Sequence, residues 1–300
     1  MMLPDLESLR CFDAAATHLS FRIAAKAVAL SPAAFGDRIK RLEDQLAAPL
    51  FARTTRRVAL TPAGHRLLVQ ARRVLDEAGR CQHVVRDDAA PIPYELTIGT
   101  RFELGLSWLT PALRPLQAER PERTLHLVFG DSADLLARAR NAVLDALVTS
   151  ARLTGGNLAY ELLHTEDYVF VGGSGLVGRK PLARSADAAQ HTLLDVAPDL
   201  PLFRYFLDAR RGHDETAWTF SKLEYLGTIG AIRLRVLQGA GVAVLPRYFV
   251  AGDLRARRLV RLVPRTALQR DAFRLIWRAN HPREAELRVL AADLSRLPLA

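Results

Sequence analysis

Basic side chains are concentrated between residues 20 and 60 of this 300-residue sequence, where eight arginines and lysines accompany three acidic residues. The formal net charge of the whole chain is +10, but arginine is scattered along its full length and could equally reflect genome composition. Local charge is the better indicator, because clustered arginine and lysine side chains attract phosphate groups. Residues 20–60 are therefore the candidate surface for a polyanionic partner such as duplex DNA.

Three short helices are predicted to position these charges. Apolar residues three and four apart predict a first helix over residues 6–19. Ser20 and Ser31-Pro32 are typical helix starts, since serine caps exposed backbone amides and proline fits the first helical position. The third helix would bury Phe35 and Ile39 and present polar and basic residues on its other side. Two helices joined by a short turn, the second basic on its outer side, indicate a helix-turn-helix.

A basic turn follows the third helix. Leu50-Phe51 and the β-like run Val58 to Leu60 flank it, which predicts a wing whose arginines meet phosphates beside a DNA groove. In the major groove, the N-terminal residues of the recognition helix reach the base edges. Contacts to bases or thymine methyl groups are predicted for Pro32, Ala33, Asp37 and Arg38. Phosphate contacts are predicted for Arg22, Ser31, Lys40, Arg53, Arg56 and Arg57.

A long helix is predicted from Thr61-Pro62 to about Asp88. Its apolar residues recur with alternating gaps of four and three, from Leu67 through Ala71 to Val85, which is the 3.5-residue period of a coiled-coil seam. This period predicts a homodimer, and an ordinary amphipathic helix packed on its own domain is the alternative. Cys81 would then be a seam residue rather than a reactive thiol.

An α/β domain is predicted after the proline-rich boundary at residues 91–93. Short β runs alternate with helices there, which is typical of a sheet built from βαβ units. The expected organisation is a winged helix-turn-helix over 1–61, a linker helix over 62–90 and a regulatory domain over 91–300. Strands are predicted at 96–98, 125–129, 145–148, 168–171, 242–245 and 273–277, and helices at 103–116, at 133–142 and from His281 onward.

The common catalytic motifs are absent from the sequence. Its eight histidines form no HExxH pair and share no metal-ligand spacing with Cys11 and Cys81. There is no Gly-x-Ser-x-Gly, and Gly172 to Gly175 lacks the lysine and the last glycine of the phosphate- and dinucleotide-binding motifs. We therefore expect neither a metal nor a cofactor, and an enzyme on an α/β scaffold is the less favoured alternative.

The sequence also predicts a cytoplasmic protein with no membrane partner. Its first ten residues, MMLPDLESLR, carry acidic side chains and lack the apolar stretch of a signal peptide. No uninterrupted apolar run approaches the roughly 18 residues that a membrane-spanning helix needs.

Residues Leu6 to Leu75 resemble the DNA-binding region of the LysR-type transcriptional regulators. The similarity is carried by an ordered string of short matches rather than by one motif. They are Leu9 and Phe12, Ser20-Phe21, Ala24-Ala25, Leu30 to Ala34, Ile39 to Glu43, Leu50-Phe51, Arg53, Leu60-Thr61 and Ala63-Gly64. A fainter similarity continues through Leu96 to Gly99, Leu144-Asp145 and Val236 to Pro246.

That resemblance implies a bilobed effector domain, similar to a periplasmic binding protein, with a ligand cleft at the hinge. One lobe would comprise residues of about 94–167 and 267–300, and the other about 168–266. It also implies a DNA-binding regulator that forms a homodimer or homotetramer, responds to a small-molecule effector and has RNA polymerase as a further partner. A regulator that binds DNA without any ligand is the alternative.

Helix N-termini and backbone amides that follow strand ends favour an anionic ligand, so a small carboxylate is the expected effector. The candidate effector-binding residues are Thr100, Arg101, Asp131, Ser132, Thr149, Ser150, Phe203 and Thr228. Arg101 could pair with a carboxylate or be a plain surface arginine. The serines and threonines could be simple helix caps.

Three residues depart from the family pattern in the DNA-binding region. Gly36 stands where serine is usual, Asp37 where glutamine or a basic residue is common, and Arg22 where threonine is common. Glycine inside a helix costs up to about 1 kcal/mol relative to alanine. Asp37 places an acid near phosphates unless it accepts a hydrogen bond from cytosine N4. These departures leave the expected fold unchanged and bear on the base contacts alone.

Overall fold

A computed structural model describes residues 3–53, 58–84, 91–150, 157–210 and 217–299. Its N-terminal unit is the winged helix-turn-helix that the sequence predicts, which confirms that part of the fold. The elements are α1 (Leu6–His18), α2 (Phe21–Ala27), α3 (Pro32–Gln45) and an antiparallel hairpin of β1 (Phe51–Arg53) and β2 (Val58–Leu60).

Side-chain caps begin two of these helices. The Asp5 carboxylate accepts a hydrogen bond from the backbone amide of Ser8 at the start of α1, and the Ser31 hydroxyl accepts one from that of Ala34 in α3. Ser20, although extended, makes no side-chain cap to α2. The apolar faces of the three helices meet in a core that includes the buried side chains Phe12, Phe35, Ile39, Leu42 and Leu50.

The linker helix α4 (Pro62–Val84) begins at a threonine cap, since the Thr61 hydroxyl accepts from the Gly64 amide at 3.0 Å. Its first half belongs to the helix-turn-helix core, where Leu68 and Ala71 are buried. Ala71, which the sequence places in an intermolecular seam, therefore packs within its own chain. Further along the helix Val74 is 45% exposed and Cys81 is exposed.

The first α/β lobe has a five-stranded sheet in the order β4-β3-β5-β12-β6, of which β4, β3 and β5 are parallel. These strands are β3 (Tyr94–Thr100), β4 (Arg123–Phe129), β5 (Ala146–Thr149), β6 (Leu158–Glu166) and β12 (Asp271–Arg278). Its helices are α5 (Phe102–Leu104), which runs through a π-helical turn (Gly105–Leu109) into α6 (Thr110–Glu119), then α7 (Ser132–Arg140) and α12 (Glu284–Arg296).

The second lobe has a five-stranded sheet in the order β11-β7-β10-β8-β9. Its strands are β7 (Tyr168–Gly173), β8 (Thr192–Asp195), β9 (Lys222–Tyr225), β10 (Val242–Pro246) and β11 (Leu259–Arg261). Its helices are α8 (Ser174–Arg179), a 3-10 turn (Ser185–Gln190), α9 (Pro201–Arg210), α10 (Ile229–Leu237) and α11 (Arg247–Arg255). The chain crosses between the two sheets at Asp167 and again before β12, and this two-sheet arrangement confirms the bilobed α/β expectation.

The sequence prediction differs from the structure in the middle of the chain. The strands β6, β8, β9 and β11 were not predicted, and the single helix expected over 103–116 is divided by the π-helical turn. Pro111 then lies near the start of α6, where a missing backbone donor is tolerated. The first residue of this turn is Gly105, and a larger residue would not fit there because its Cβ would lie 2.4 Å from the Phe129 ring.

Candidate functional site

The exposed face of α3 carries the side chains that the sequence assigns to DNA. Ser31, Pro32, Ala33, Asp37 and Lys40 are all exposed, whereas Phe35, Ile39 and Leu42 of the same helix are buried in the core. The helix is therefore fixed by one face and free to contact a groove with the other. A Cβ added at Gly36 would meet no atom within 4 Å, so the atypical glycine is not required by packing.

Basic side chains of α2 extend this surface. Arg22 is exposed, and together with Lys26 and Pro32 it lines one depression between α2 and α3. Lys26 was not among the predicted contacts, although its spacing of four residues from Arg22 places both on the same face of the helix. Of the wing arginines, Arg53 ends β1, while Arg56 and Arg57 lie outside the described residues.

The Arg38 side chain is paired with a carboxylate of its own chain instead of being free to contact a DNA groove. Its guanidinium Nη1 lies 3.1 Å from the Asp5 carboxylate, the same carboxylate that caps α1. Hydrogen bonds from the Ser8 amide and hydroxyl, followed by the charge of Arg38, hold the pKa of Asp5 below its usual value. Arg38 thus ties the recognition helix to α1 within the protein.

A cavity of about 470 Å³ lies between the two lobes. Arg101, Ser132 and Ser150 line it from the first lobe, each placed just after the end of a parallel strand. These three are predicted effector-binding residues that the structure brings together. Because the carboxyl ends of β3, β4 and β5 share one edge of the sheet, polar residues that follow them must converge there.

The remaining predicted effector residues do not line the cavity. Thr100 and Thr149 are buried at the ends of their strands, and Thr149 Oγ1 lies 3.5 Å from Ser132 Oγ. Asp131 and Thr228 cap helices, accepting from the amides of Asp134 and Ala231. Phe203 is only 2% exposed and belongs to the aromatic core of the second lobe. The sequence predicts this side chain at the cleft, whereas the structure places it in the core. The Phe203 ring contacts the rings of Phe170 and Phe206, and this aromatic packing keeps it out of the cleft.

Arg101 of the cavity wall forms a partly buried charge pair with Glu166. Arg101 Nη2 is 3.6 Å from Glu166 Oε1, and Glu166 is fully buried at the end of β6. Among the described residues, the buried Arg101 Nε and the Tyr248 hydroxyl have no hydrogen-bond partner. Burial raises the pKa of Glu166, although the charge of Arg101 and hydrogen bonds from Ser150 and Tyr168 oppose that effect. Buried polar atoms are normally paired, so the free Nε donor of Arg101 has the capacity to bind a further acceptor.

Acidic and aromatic residues that the sequence prediction missed complete the cleft. The rings of Tyr168 and Tyr205 stack with centroids 3.8 Å apart, and the Tyr205 hydroxyl donates to Asp271 Oδ2 at 3.2 Å. Asp271 is opposite Glu166 in the register of β12 and β6. The cavity is therefore lined by both signs of charge, with Arg101 and Arg204 beside Asp199, Asp208 and Asp271.

Both parts of the chain, the helix-turn-helix and the bilobed α/β domain, match known protein families. The bacterial regulatory helix-turn-helix of the lysR family matches residues 6–65, and the LysR substrate binding domain matches residues 89–297. The chain belongs to the LysR-type transcriptional regulators. This LysR-type regulator therefore binds DNA through its N-terminal unit and an effector through its C-terminal domain, and it is not an enzyme.

Individual relatives match along nearly the whole regulator. The glycine cleavage system transcriptional activator of Escherichia coli K12 is 29% identical over 300 residues, covering 97% of this chain and 92% of that protein. Full-length OxyR C199D from Pseudomonas aeruginosa has a TM-score of 0.75 at 22% identity, covering 100% of this chain and 97% of that one. LysG from Corynebacterium glutamicum, solved with its bound effector Arg, has a TM-score of 0.66 at 22% identity and covers 98% of each chain.

The described residues contain neither a candidate membrane-spanning helix nor a candidate metal-binding cluster. None of the helices in that part of the LysR-type regulator is both long and apolar enough to cross a membrane. Over the same residues, histidine, cysteine, aspartate and glutamate side chains form no group of three or more that could hold a metal ion.

Proposed function

We propose that the effector of this regulator is a small zwitterion of the amino-acid type, bound in the cleft between the lobes. The observation that carries the proposal is Arg101, whose side chain is 31% exposed beside the cavity and whose pairing with Glu166 is long, at 3.6 Å. A ligand carboxylate could form a closer, bidentate pair with that guanidinium. Ser132 and Ser150 would supply hydroxyl donors to the same carboxylate.

The acidic side of the cleft argues for a second, cationic group on the effector. Asp271 and Asp199 line the cavity. The Asp271 carboxylate accepts hydrogen bonds from the Tyr205 hydroxyl and from the backbone amide of Ala272. A purely anionic ligand would be repelled by these carboxylates, whereas an ammonium group would pair with them. The relative LysG was solved with Arg as its effector, and an amino acid carries this same pair of charges.

Thiol chemistry does not supply the signal in the regulatory domain. Both cysteines of the chain, Cys11 and Cys81, precede residue 89, where the match to the effector domain begins. Ligand binding is thus the proposed input, and rotation of the lobes about Asp167 would transmit it to the linker helix and the DNA-binding unit.

The test is calorimetry on the full-length protein with three matched sets of compounds: amino acids, the same carboxylates without the amine, and the same amines without the carboxylate. Amino acids are expected to bind most tightly, and Arg101→Gln is expected to weaken that binding about tenfold or more, because a charge-assisted hydrogen bond is lost. Arg255→Gln is the control, because Arg255 is an exposed residue of α11 that does not line the cavity. Tight binding only to neutral or cationic compounds would overturn the proposal.

For DNA, we propose that Pro32, Ala33 and Asp37 face base edges and that Arg22, Ser31, Lys26 and Lys40 contact phosphates. Their exposure on α2 and α3 supports this assignment. Arg53, Arg56 and Arg57 stay predicted phosphate contacts of the wing. Arg38 reaches DNA only after it releases Asp5, so its contribution would be offset by the lost ion pair.

We also propose a homodimer formed through α4, with a homotetramer built from two such dimers. Val74 and Cys81 are exposed and seven residues apart, which places both on the same face of the helix. A partner helix would cover this strip, while Ala71 stays in the core of its own chain. Dimerisation would provide the two half-sites that one helix-turn-helix lacks. RNA polymerase is the further proposed partner, since a regulator bound at a promoter lies beside it.

A further inference from the structure

We propose a second anion-binding site between the linker helix and the first lobe, separate from the effector cleft. A cavity of about 430 Å³ lies there, and its polar lining is Gln70, Arg73, Arg140, Asn157, Arg278 and Asn280. We call this cavity the linker–lobe site. Gln70 and Arg73 come from the middle of α4, whereas the other four come from the first lobe.

The charge of the linker–lobe site is wholly positive. Three arginines line it, and no acidic side chain does so among the described residues. Within that part of the chain, Arg73 and Arg278 form no salt bridge and no side-chain hydrogen bond, and Arg278 Nε is a buried donor without an acceptor. The like charges of Arg73 and Arg278 repel one another, so an anion bound between them would stabilise this arrangement.

Asp145, whose charge acts on Arg278, is already engaged elsewhere. Asp145 accepts a hydrogen bond from the Thr97 amide at 2.6 Å, and its other oxygen lies 3.3 Å from His281 Nε2. Burial lowers the pKa of Arg278 despite the charge of Asp145, and the neighbouring Arg72 and Arg73 lower it further. Since no carboxylate of the described residues lines the linker–lobe site, the cavity has room for a negatively charged ligand beside Arg73 and Arg278.

The lining identifies the chemical class of the ligand. Guanidinium groups pair with the oxygens of phosphates and carboxylates, and the amides of Gln70, Asn157 and Asn280 can donate to the same oxygens. The volume suits a small molecule. We therefore assign the site to a small anion with several anionic oxygens, a phosphate ester or a polycarboxylate. The recognition helix α3 contributes no residue to the cavity, which separates this site from the DNA-binding surface.

A ligand at this position would join the linker helix to the effector domain. The two are already connected by the pair between Arg283 Nη2 and Asp76 Oδ1 at 2.6 Å and by the hydrogen bond from Arg72 to the carbonyl of Ala142. An anion held between Arg73 and Arg278 would add to these contacts and stabilise the docked arrangement by mass action. The site would thereby couple anion concentration to the position of the DNA-binding unit.

The experiment titrates the full-length protein with pyrophosphate and, separately, with citrate, at an ionic strength held constant with sodium chloride. Saturable binding of at least one probe is expected. Affinity should fall about tenfold or more in Arg73→Gln and in Arg278→Gln, and should be unchanged in the exposed-arginine control Arg255→Gln and in the cleft variant Arg101→Gln. Pyrophosphate binding alone would identify a phosphate ligand, and citrate binding alone a polycarboxylate.

Because Arg73 is exposed, its substitution should leave the melting temperature unchanged, and so it tests the proposal even if Arg278→Gln fails to fold. Equal affinity in both variants and the wild type would overturn the linker–lobe site, as would the absence of saturable binding by either probe. Loss of anion binding accompanied by an equal loss of operator affinity would also overturn it, because these arginines would then contact DNA. None of these results depends on which effector occupies the cleft.

Discussion

Glu103 and Gly230 join the two lobes across the mouth of the cleft. Glu103 Oε1 accepts a hydrogen bond of 3.1 Å from the backbone amide of Gly230, 127 residues further along the chain. Gly230 is the second residue of α10, so the carboxylate lies at the positive end of that helix dipole. A contact of this kind favours the arrangement in which the lobes are closed on the cavity.

Removing this contact should weaken effector binding. Glu103→Ala is expected to lower the affinity for the effector about three- to tenfold, because part of the closing free energy comes from a charge-assisted hydrogen bond. Calorimetry measures the change, and small-angle X-ray scattering should report a larger radius of gyration for the free protein. Glu122→Gln, in the turn before β4, is the matched control. Unchanged affinity and an unchanged scattering profile would show that the contact does not stabilise closure.

The DNA surface predicts a defined salt dependence. Arg22→Gln should lower operator affinity and reduce the slope of log affinity against log salt by about 1, since one fewer phosphate is neutralised. Fluorescence anisotropy at several salt concentrations measures both quantities. Arg255→Gln, which lies in the effector domain, should leave the slope unchanged. A slope equal to that of the wild type in the Arg22 variant would place this side chain off the DNA.

The first lobe depends on a buried ion pair between Arg123 and Asp293. Arg123 Nη1 is 2.7 Å from Asp293 Oδ2, and the exposed fractions of the two side chains are 0% and 1%. Asp293→Asn should lower the free energy of unfolding by about 3–5 kcal/mol, because it leaves a buried guanidinium unpaired. Urea denaturation followed by circular dichroism tests this. The control Glu7→Gln breaks a half-exposed pair with Arg10 and should cost less than about 1 kcal/mol.

The second lobe should lose stability in acid through Asp253. Burial by itself would raise the pKa of this carboxyl, but hydrogen bonds from Arg233 and Arg258, both at 2.6 Å, hold it below the ordinary value of 3.8. The folded pKa lies below the unfolded one, so the stabilisation is complete above about pH 4 and is lost as pH falls through the folded pKa.

Denaturation from pH 7 to pH 3 measures this effect in wild type and in Asp253→Asn. The difference in unfolding free energy between them should be largest at neutral pH and shrink in acid. A difference that stays constant with pH would show that the Asp253 carboxylate does not keep its charge preferentially in the folded state.

Local signals in the sequence were sufficient for the N-terminal unit and for the fold class. Capping and proline residues at Ser31-Pro32 and Thr61-Pro62 mark helix starts through contacts made within one turn, so they do not depend on distant parts of the chain. The alternation of β runs and helices likewise predicted an α/β domain, whereas its division into two lobes was implied by the family resemblance. Strands such as β6 were missed because their exposed edge positions, including Tyr160 and Leu162, lack a clear apolar alternation.

Most of the residues that line the cleft could be identified only from the tertiary structure. Strand-end positions led to the prediction of Arg101, Ser132 and Ser150, which line the cavity because parallel strands end at one edge of the sheet. Phe203 and Ala71 were assigned to functional surfaces, yet each packs into a core, because periodicity identifies an apolar face without identifying what covers it. The groups around Arg101, namely Glu166, Tyr205 and Asp271, come from segments far apart in sequence. Only the pairing of strands and the packing of two lobes bring these side chains together. No local sequence pattern determines how close residues from distant segments lie in the folded chain.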